Sequence, residues 1–73
     1  MAIMWSKGEI NGYKFEVKHY ETGSQYGISE GRVSKLSIRK DGVWVYNYDR
    51  ELDFDNLDEE GKAVYAQILE QYN

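Results

Sequence analysis

The segment Lys7-Gly8-Glu9-Ile10-Asn11-Gly12-Tyr13-Lys14-Phe15-Glu16-Val17 reads as two strands about a tight reversal. Asn-Gly tolerates the positive φ that both central positions of a type I′ turn require. A two-residue turn at 11–12 sets Ile10 opposite Tyr13 and Gly8 opposite Phe15. It also sets Glu9 opposite Lys14, Lys7 opposite Glu16 and Trp5 opposite Lys18. Side chains alternate between faces with period two. One face therefore collects Ile10, Tyr13, Phe15 and Val17, with Gly8 leaving room beside the Phe15 ring. The other collects opposite charges across the ladder, a pairing that contributes about 0.2–1 kcal/mol each. A slip of one residue would scramble both faces. The spacing predicts a hairpin over roughly residues 3–20.

A second reversal, Asp41-Gly42, predicts a hairpin from Val33 to Tyr48. With plain alternation, Leu36, Ile38, Val43 and Val45 form an aliphatic core face. Trp44, Tyr46 and Tyr48 then share the opposite face with Lys35, Ser37 and Arg39. Beyond it, Leu57, Gly61, Val64, Tyr65, Ile68 and Tyr72 recur at helical spacing, so residues 56–72 read as a helix. Asp55 or Asn56 is positioned to cap it, with Asp58, Glu59 and Glu60 in the first turn, where the helix dipole favours anions. Gly61 in this stripe marks a close approach of helix to sheet.

The expected fold class is α+β. A four-stranded antiparallel sheet of two hairpins carries one C-terminal helix packed on one face, in a single ββββα domain over residues 1–73. The chain is 73 residues long with 41% hydrophobic and 15% aromatic residues, enough for one small core. It contains no cysteine, which excludes disulfides, thiolate zinc sites and thiol nucleophiles. No apolar run reaches membrane-spanning length, and no charged region precedes an apolar stretch at the N-terminus. A cytoplasmic protein with no membrane partner is expected.

Charge is segregated. Residues 1–50 hold 8 basic and 6 acidic side chains, a net of +2, while residues 51–73 hold 1 basic and 7 acidic, a net of −6. The overall −4 counts against a general nucleic-acid binder. Residues 21–32, between the hairpins, lack periodicity, and loops of that length in compact domains tend to carry function. Tyr26 lies in this loop. Arg32 closes it and belongs either to the loop or to the aromatic sheet face.

The strings Tyr26-Gly27-Ile28, Gly31-Arg32-Val33-Ser34-Lys35-Leu36, Lys7-Gly8-Glu9-Ile10-Asn11-Gly12 and Ala63-Val64-Tyr65 resemble a small family of unknown function. That family is common in phages and prophages of Gram-positive bacteria. The resemblance implies a phage accessory role exerted by binding host machinery, and it transfers no catalytic residue.

The chemistry-bearing constellations are few. The lone histidine, His19, has no partner spacing for catalysis, and neither GxxxxGK[ST] nor GxGxxG is present. No enzyme and no cofactor are expected. Asp49, Glu51, Asp53 and Asp55 alternate with Arg50, Leu52, Phe54 and Asn56. If extended, the acids form a row about 6.7 Å apart, with Leu52 and Phe54 turned to the core. Phe54 stands where a calcium loop wants glycine, so no metal site is assigned. The row suits docking to a basic partner surface, or it is a solvated run into the helix. Trp44, Tyr46 and Tyr48 with Lys35 and Arg39 suit a protein partner, since Trp, Tyr and Arg dominate interface hot spots. They suit stacked nucleotides or single-stranded RNA second, and the plainest reading is that the Lys and Arg stems simply cover the rings with a modest cation–π gain. The leading expectation is a non-enzymatic accessory protein that binds a host protein, inhibiting a defence or nucleic-acid-handling factor. It would use the acidic row, or the aromatic face with Tyr26 and Arg32. Self-association into a homodimer is a third reading.

Overall fold

Asn11 and Asp41 both take left-handed backbone, with φ of 52° and 53°, and Gly12 and Gly42 follow at 84° and 79°. Both reversals thus turn where the sequence places them. The computed structural model describes residues 3–73. The chain runs through β1 (Ile3–Ile10), β2 (Tyr13–Tyr20), a 3₁₀ turn (Ile28–Glu30), β3 (Val33–Lys40), β4 (Val43–Asp49), β5 (Leu52–Asp55) and α1 (Glu59–Tyr72). The strands form one antiparallel meander in the order β1-β2-β3-β4-β5.

The sheet has five strands, not the four expected. The fifth arises at Arg50, whose φ of 63° reverses the chain after β4. The Asp49 N–H donates to the Glu51 carbonyl at 2.9 Å, closing a turn that lays Leu52–Asp55 back along β4. Asp49-Arg50-Glu51 has no glycine or asparagine at the left-handed position, which falls on Arg50, so the alternation of charge masked the reversal.

The first hairpin has the expected register, with Ile10 opposite Tyr13 and Trp5 opposite Lys18. The second departs from it. Arg39 faces Trp44, but Ile38 faces Tyr46, so Val45 is an extra residue in β4. A bulge of this kind leaves one residue unpaired and reverses the alternation beyond it. Tyr46 and Tyr48 consequently join Ile38 and Leu36 on the core side. Val43, assigned to the core from plain alternation, is more than half exposed at the turn.

The helix covers one sheet face. Tyr13, Phe15 and Val17 of β2 pack there with Val33, Leu36 and Ile38 of β3, and Tyr46 of β4. Ile28 from the loop and Val64 and Ile68 from α1 close the cluster. Emptying any one fully buried Leu or Ile position would cost about 2–5 kcal/mol. The helix begins at Glu59 rather than 56, because its cap is Asp58 and neither Asp55 nor Asn56. The Asp58 carboxylate accepts the Gly61 N–H at 2.7 Å and the Tyr13 hydroxyl at 2.5 Å, tying the helix start to β2. Gly61 is buried, and a Cβ there would meet the Tyr13 ring at 3.2 Å, the close approach expected of it.

Candidate binding face

Among the described residues, no element covers the sheet face opposite the helix. On β1 and β2 it presents Trp5, Lys7 and Glu9 beside Lys14, Glu16, Lys18 and Tyr20. On β3 and β4 it presents Lys35, Ser37 and Arg39 beside Trp44, Asn47 and Asp49. Trp5 is 58% exposed and Trp44 45%. These are the only two tryptophans of the chain, and both lie on this face.

Each ring holds a cation. The Lys18 ammonium lies 5.9 Å from the Trp5 ring centre and 5.7 Å from that of Tyr20, and the Arg39 guanidinium lies 5.4 Å from Trp44. Such contacts contribute about 0.5–1 kcal/mol at exposed sites. In the centre of the face, Lys18 stands directly opposite Lys35, and Lys14 directly opposite Arg39. Like charges across a ladder are destabilising. Lys35 is relieved by Asp49 at 4.0 Å, while Lys14, Lys18 and Arg39 make no ion pair among the described residues. The two cation pairs are four residues apart along β2, about 13 Å. Between them, Glu16 is drawn to Lys7 at 3.7 Å. Ser37 donates to Asn47, which donates to Asp53 at 3.0 Å, a polar relay across three strands. Lys7, Glu9, Lys14, Glu16, Arg39 and Trp44 border an open depression of about 430 Å³.

The sequence-derived site residues separate. Trp44, Arg39 and Lys35 lie on the open face as expected. Tyr46 does not; it is 3% exposed, and its ring packs 5.0 Å from that of Tyr65. Burial, then the Tyr65 hydroxyl, holds the Tyr46 phenol protonated well above its ordinary value. Tyr48 is also on the helix side. Its hydroxyl donates to the Tyr26 carbonyl at 2.9 Å, and burial raises its phenol. Tyr26 is exposed on that same side, and Arg32 reaches the Asn73 carbonyl at 3.4 Å, so both belong to the loop and helix end. The aromatic face read from alternation is thereby cut from three rings to Trp44. The missed partners are Trp5, Lys18 and Tyr20, and the signal for them was the β1–β2 register, which sets Trp5 against Lys18.

The acids do not form a row. Asp49 and Glu51 flank the Arg50 turn, and Asp53 is the extra residue where Asn47 pairs with Phe54 and Tyr48 with Leu52. Asp55 accepts the Leu57 N–H at 3.1 Å. Leu52 is more than half exposed instead of turned to the core. The carboxylates of Asp49, Asp53 and Asp55 thus serve separate local contacts, with Lys35 and Arg50, with Asn47 and with the Leu57 N–H. Among the described residues, no three His, Asp or Glu side chains converge as a metal ion would need, and no helix is long and apolar enough to cross a membrane.

Residues 4–73 match the family described as a domain of unknown function (DUF7678), and the chain belongs to that family. No curated protein and no solved structure matches it.

Proposed function

We propose that this chain is a non-enzymatic binding module whose working surface is the uncovered sheet face, and that its ligand is another protein. The observation that carries the reading is the placement of both tryptophans, exposed and each beside a cation, on the one face the helix leaves open. Trp, Tyr and Arg anchors in a field of mixed charge have the composition of a protein interface centre and rim. The resemblance to phage-borne proteins extends this reading to an accessory protein acting in the bacterial cytoplasm, with a host defence or nucleic-acid-handling factor as target.

The test is capture from bacterial lysate with the whole protein and with open-face variants. Trp5→Ala, Trp44→Ala and Arg39→Glu are expected to lose a partner that Glu70→Lys, on the outer side of α1, retains. A partner held equally by all four variants overturns the reading.

The facing Lys18/Lys35 and Lys14/Arg39 pairs favour one alternative, single-stranded nucleic acid. Lys14, Lys18 and Arg39 make no ion pair among the described residues, and such cations on a face with stacking rings suit phosphates and bases. This alternative requires quenching of tryptophan fluorescence by an oligonucleotide at low salt, with steep loss as salt rises. Unchanged fluorescence removes it.

A further inference from the structure

Strand β1 closes one side of the sheet, and among the described residues no strand pairs with its outer edge. In an antiparallel ladder, alternate residues turn their N–H and C=O groups to the same neighbour. The two-residue turn makes Ile10 and Tyr13 a hydrogen-bonded pair, so Met4, Ser6, Gly8 and Ile10 bond to β2. Ile3, Trp5, Lys7 and Glu9 direct their main-chain groups away from the sheet. These four positions are symmetric about Ser6.

We propose that β1 pairs antiparallel with β1 of a second copy of this chain, about a two-fold axis at Ser6, fusing the two meanders into one sheet. That register joins Trp5 to Lys7 of the second copy, and Ile3 to Glu9, in both directions. Every outward main-chain group along Ile3–Glu9 then finds a partner. The side chains agree with it. Trp5 receives the Lys7 ammonium of the second copy, a cation on an indole face. On the helix side, Met4 meets Gly8 of the second copy, where the Phe15 ring fills the glycine gap. A thioether at a ring edge is a favourable contact. Registers shifted toward the turn are poorer. An axis at Lys7 opposes two ammoniums, and an axis at Gly8 leaves Ile3 and Trp5 beyond the end of the other strand.

Exposure points to the same edge. Ile3 and Trp5 are more than half exposed and Met4 nearly half, all at one end of an eight-residue edge strand. The opposite edge, β5, is four residues long, contains Asp53 and Asp55 and directly follows Glu51. Short, singly charged edges resist pairing, and two copies of β5 would oppose acid to acid. A closed two-fold contact through β1 also leaves no edge free for continued growth except that acidic one.

The absence of cysteine gives a clean test of the register. Residues opposed at a non-hydrogen-bonded position lie about 4.5 Å apart between Cα atoms, within disulfide reach. Ser6→Cys is expected to oxidise to a covalent dimer, and Lys18→Cys, in the sheet interior, is not. Sedimentation of the unaltered protein is expected to approach twice 8.6 kDa as concentration rises, and to stop there. In that dimer, hydrogen exchange at the Trp5 and Lys7 amides is expected to slow by about tenfold or more relative to dilute protein. Lys7→Pro takes from the main chain only an outward N–H, beside the exposed Lys7–Glu16 ion pair, and is expected to give a folded monomer, as is Trp5→Glu, which leaves the β1–β2 ladder whole. A monomer at every concentration overturns the proposal, as does growth past the dimer. So does a dimer that survives Trp5→Glu, or one in which Ser6→Cys fails to cross-link.

Discussion

The Phe15 ring stands where a side chain on Gly8 would be, with its Cζ 2.7 Å and Cε2 2.9 Å from the place of a Cβ. The glycine is a packing requirement of the neighbouring strand. Gly8→Ala should therefore destabilise, although alanine is otherwise the better strand residue. Forcing a methyl against a ring already packed on Tyr72 should cost about 1–3 kcal/mol. In a Phe15→Leu background the same change should cost less than about 0.5 kcal/mol, because the clashing atoms are gone. Urea denaturation of the four proteins closes the cycle, and equal penalties in both backgrounds would refute it.

His19 is buried against the Tyr72 ring at 5.0 Å, and its Nε2 lies 3.2 Å from the Ser6 hydroxyl. Its Nδ1 has no partner among the described residues. Burial, then the Arg32 charge, lowers its pKa below the ordinary 6.5. The unfolded chain therefore takes up the proton first. The stability is whole above pH 6.5 and declines as pH falls from there through the folded value. The denaturation midpoint should drop as pH falls below 6.5, and His19→Leu should flatten that slope. An unchanged slope in the variant would assign the effect elsewhere.

The Asp58–Tyr13 bond has a pH window of its own. The Tyr13 hydroxyl, then the Gly61 N–H, holds the Asp58 carboxyl below its ordinary 3.8. The same hydrogen bond, then burial, pushes the Tyr13 phenol up to about 12. A depressed carboxyl stabilises above 3.8 and loses that as pH falls through its folded value. A raised phenol stabilises below 10.0 and loses that as pH climbs through about 12. The tie is at full strength between those limits. At neutral pH, Asp58→Ala should lower the melting temperature more than Asp55→Ala, since it frees both the helix start and a buried hydroxyl. Circular dichroism melts decide the order.

Deletion tests the bulge. Removing Val45 should leave Tyr46 opposite Ile38, with a plain ladder and a modest loss of about 1–2 kcal/mol for its partly buried side chain. Removing Asn47 should turn Tyr48 to the open face and drive Asp49 toward the core. That variant should lose cooperative unfolding. Comparable stability of the two deletions would contradict the register.

Where local rules and packing agree, the sequence was a sufficient guide. Asn11-Gly12 and Asp41-Gly42 carry their turn chemistry in the side chains, and the Val64/Ile68 spacing carries the helix. The bulge at Val45 has no such mark. Val43, Val45 and Tyr46 all suit a strand, and which of them turns inward depends on how tightly Tyr46 fits Tyr65, twenty or so residues away. The Arg50 turn was hidden in the same manner, since an arginine at positive φ is held there by the strand pairing it permits. These two local events misplaced Tyr46, Tyr48 and the acids together. Trp44 and Arg39 were placed correctly because they precede the bulge.

Asn73 binds three separate points of the chain. Its side-chain oxygen accepts the Val33 N–H at 2.9 Å, its amide donates to the Ile28 carbonyl at 3.1 Å, and its backbone carbonyl receives Arg32. The excursion between β2 and β3 is therefore fastened by the far end of the helix, across sequence separations of 40 and 45 residues. Each piece has local bonds of its own, such as Gly31 N–H to the Ile28 carbonyl and Asn73 N–H to the Leu69 carbonyl, both at 2.9 Å, and the Asn73 contacts join the two. The loop and the last helical turn form one melting unit, so any event that lifts the end of α1 also releases Ile28 and the backbone around it.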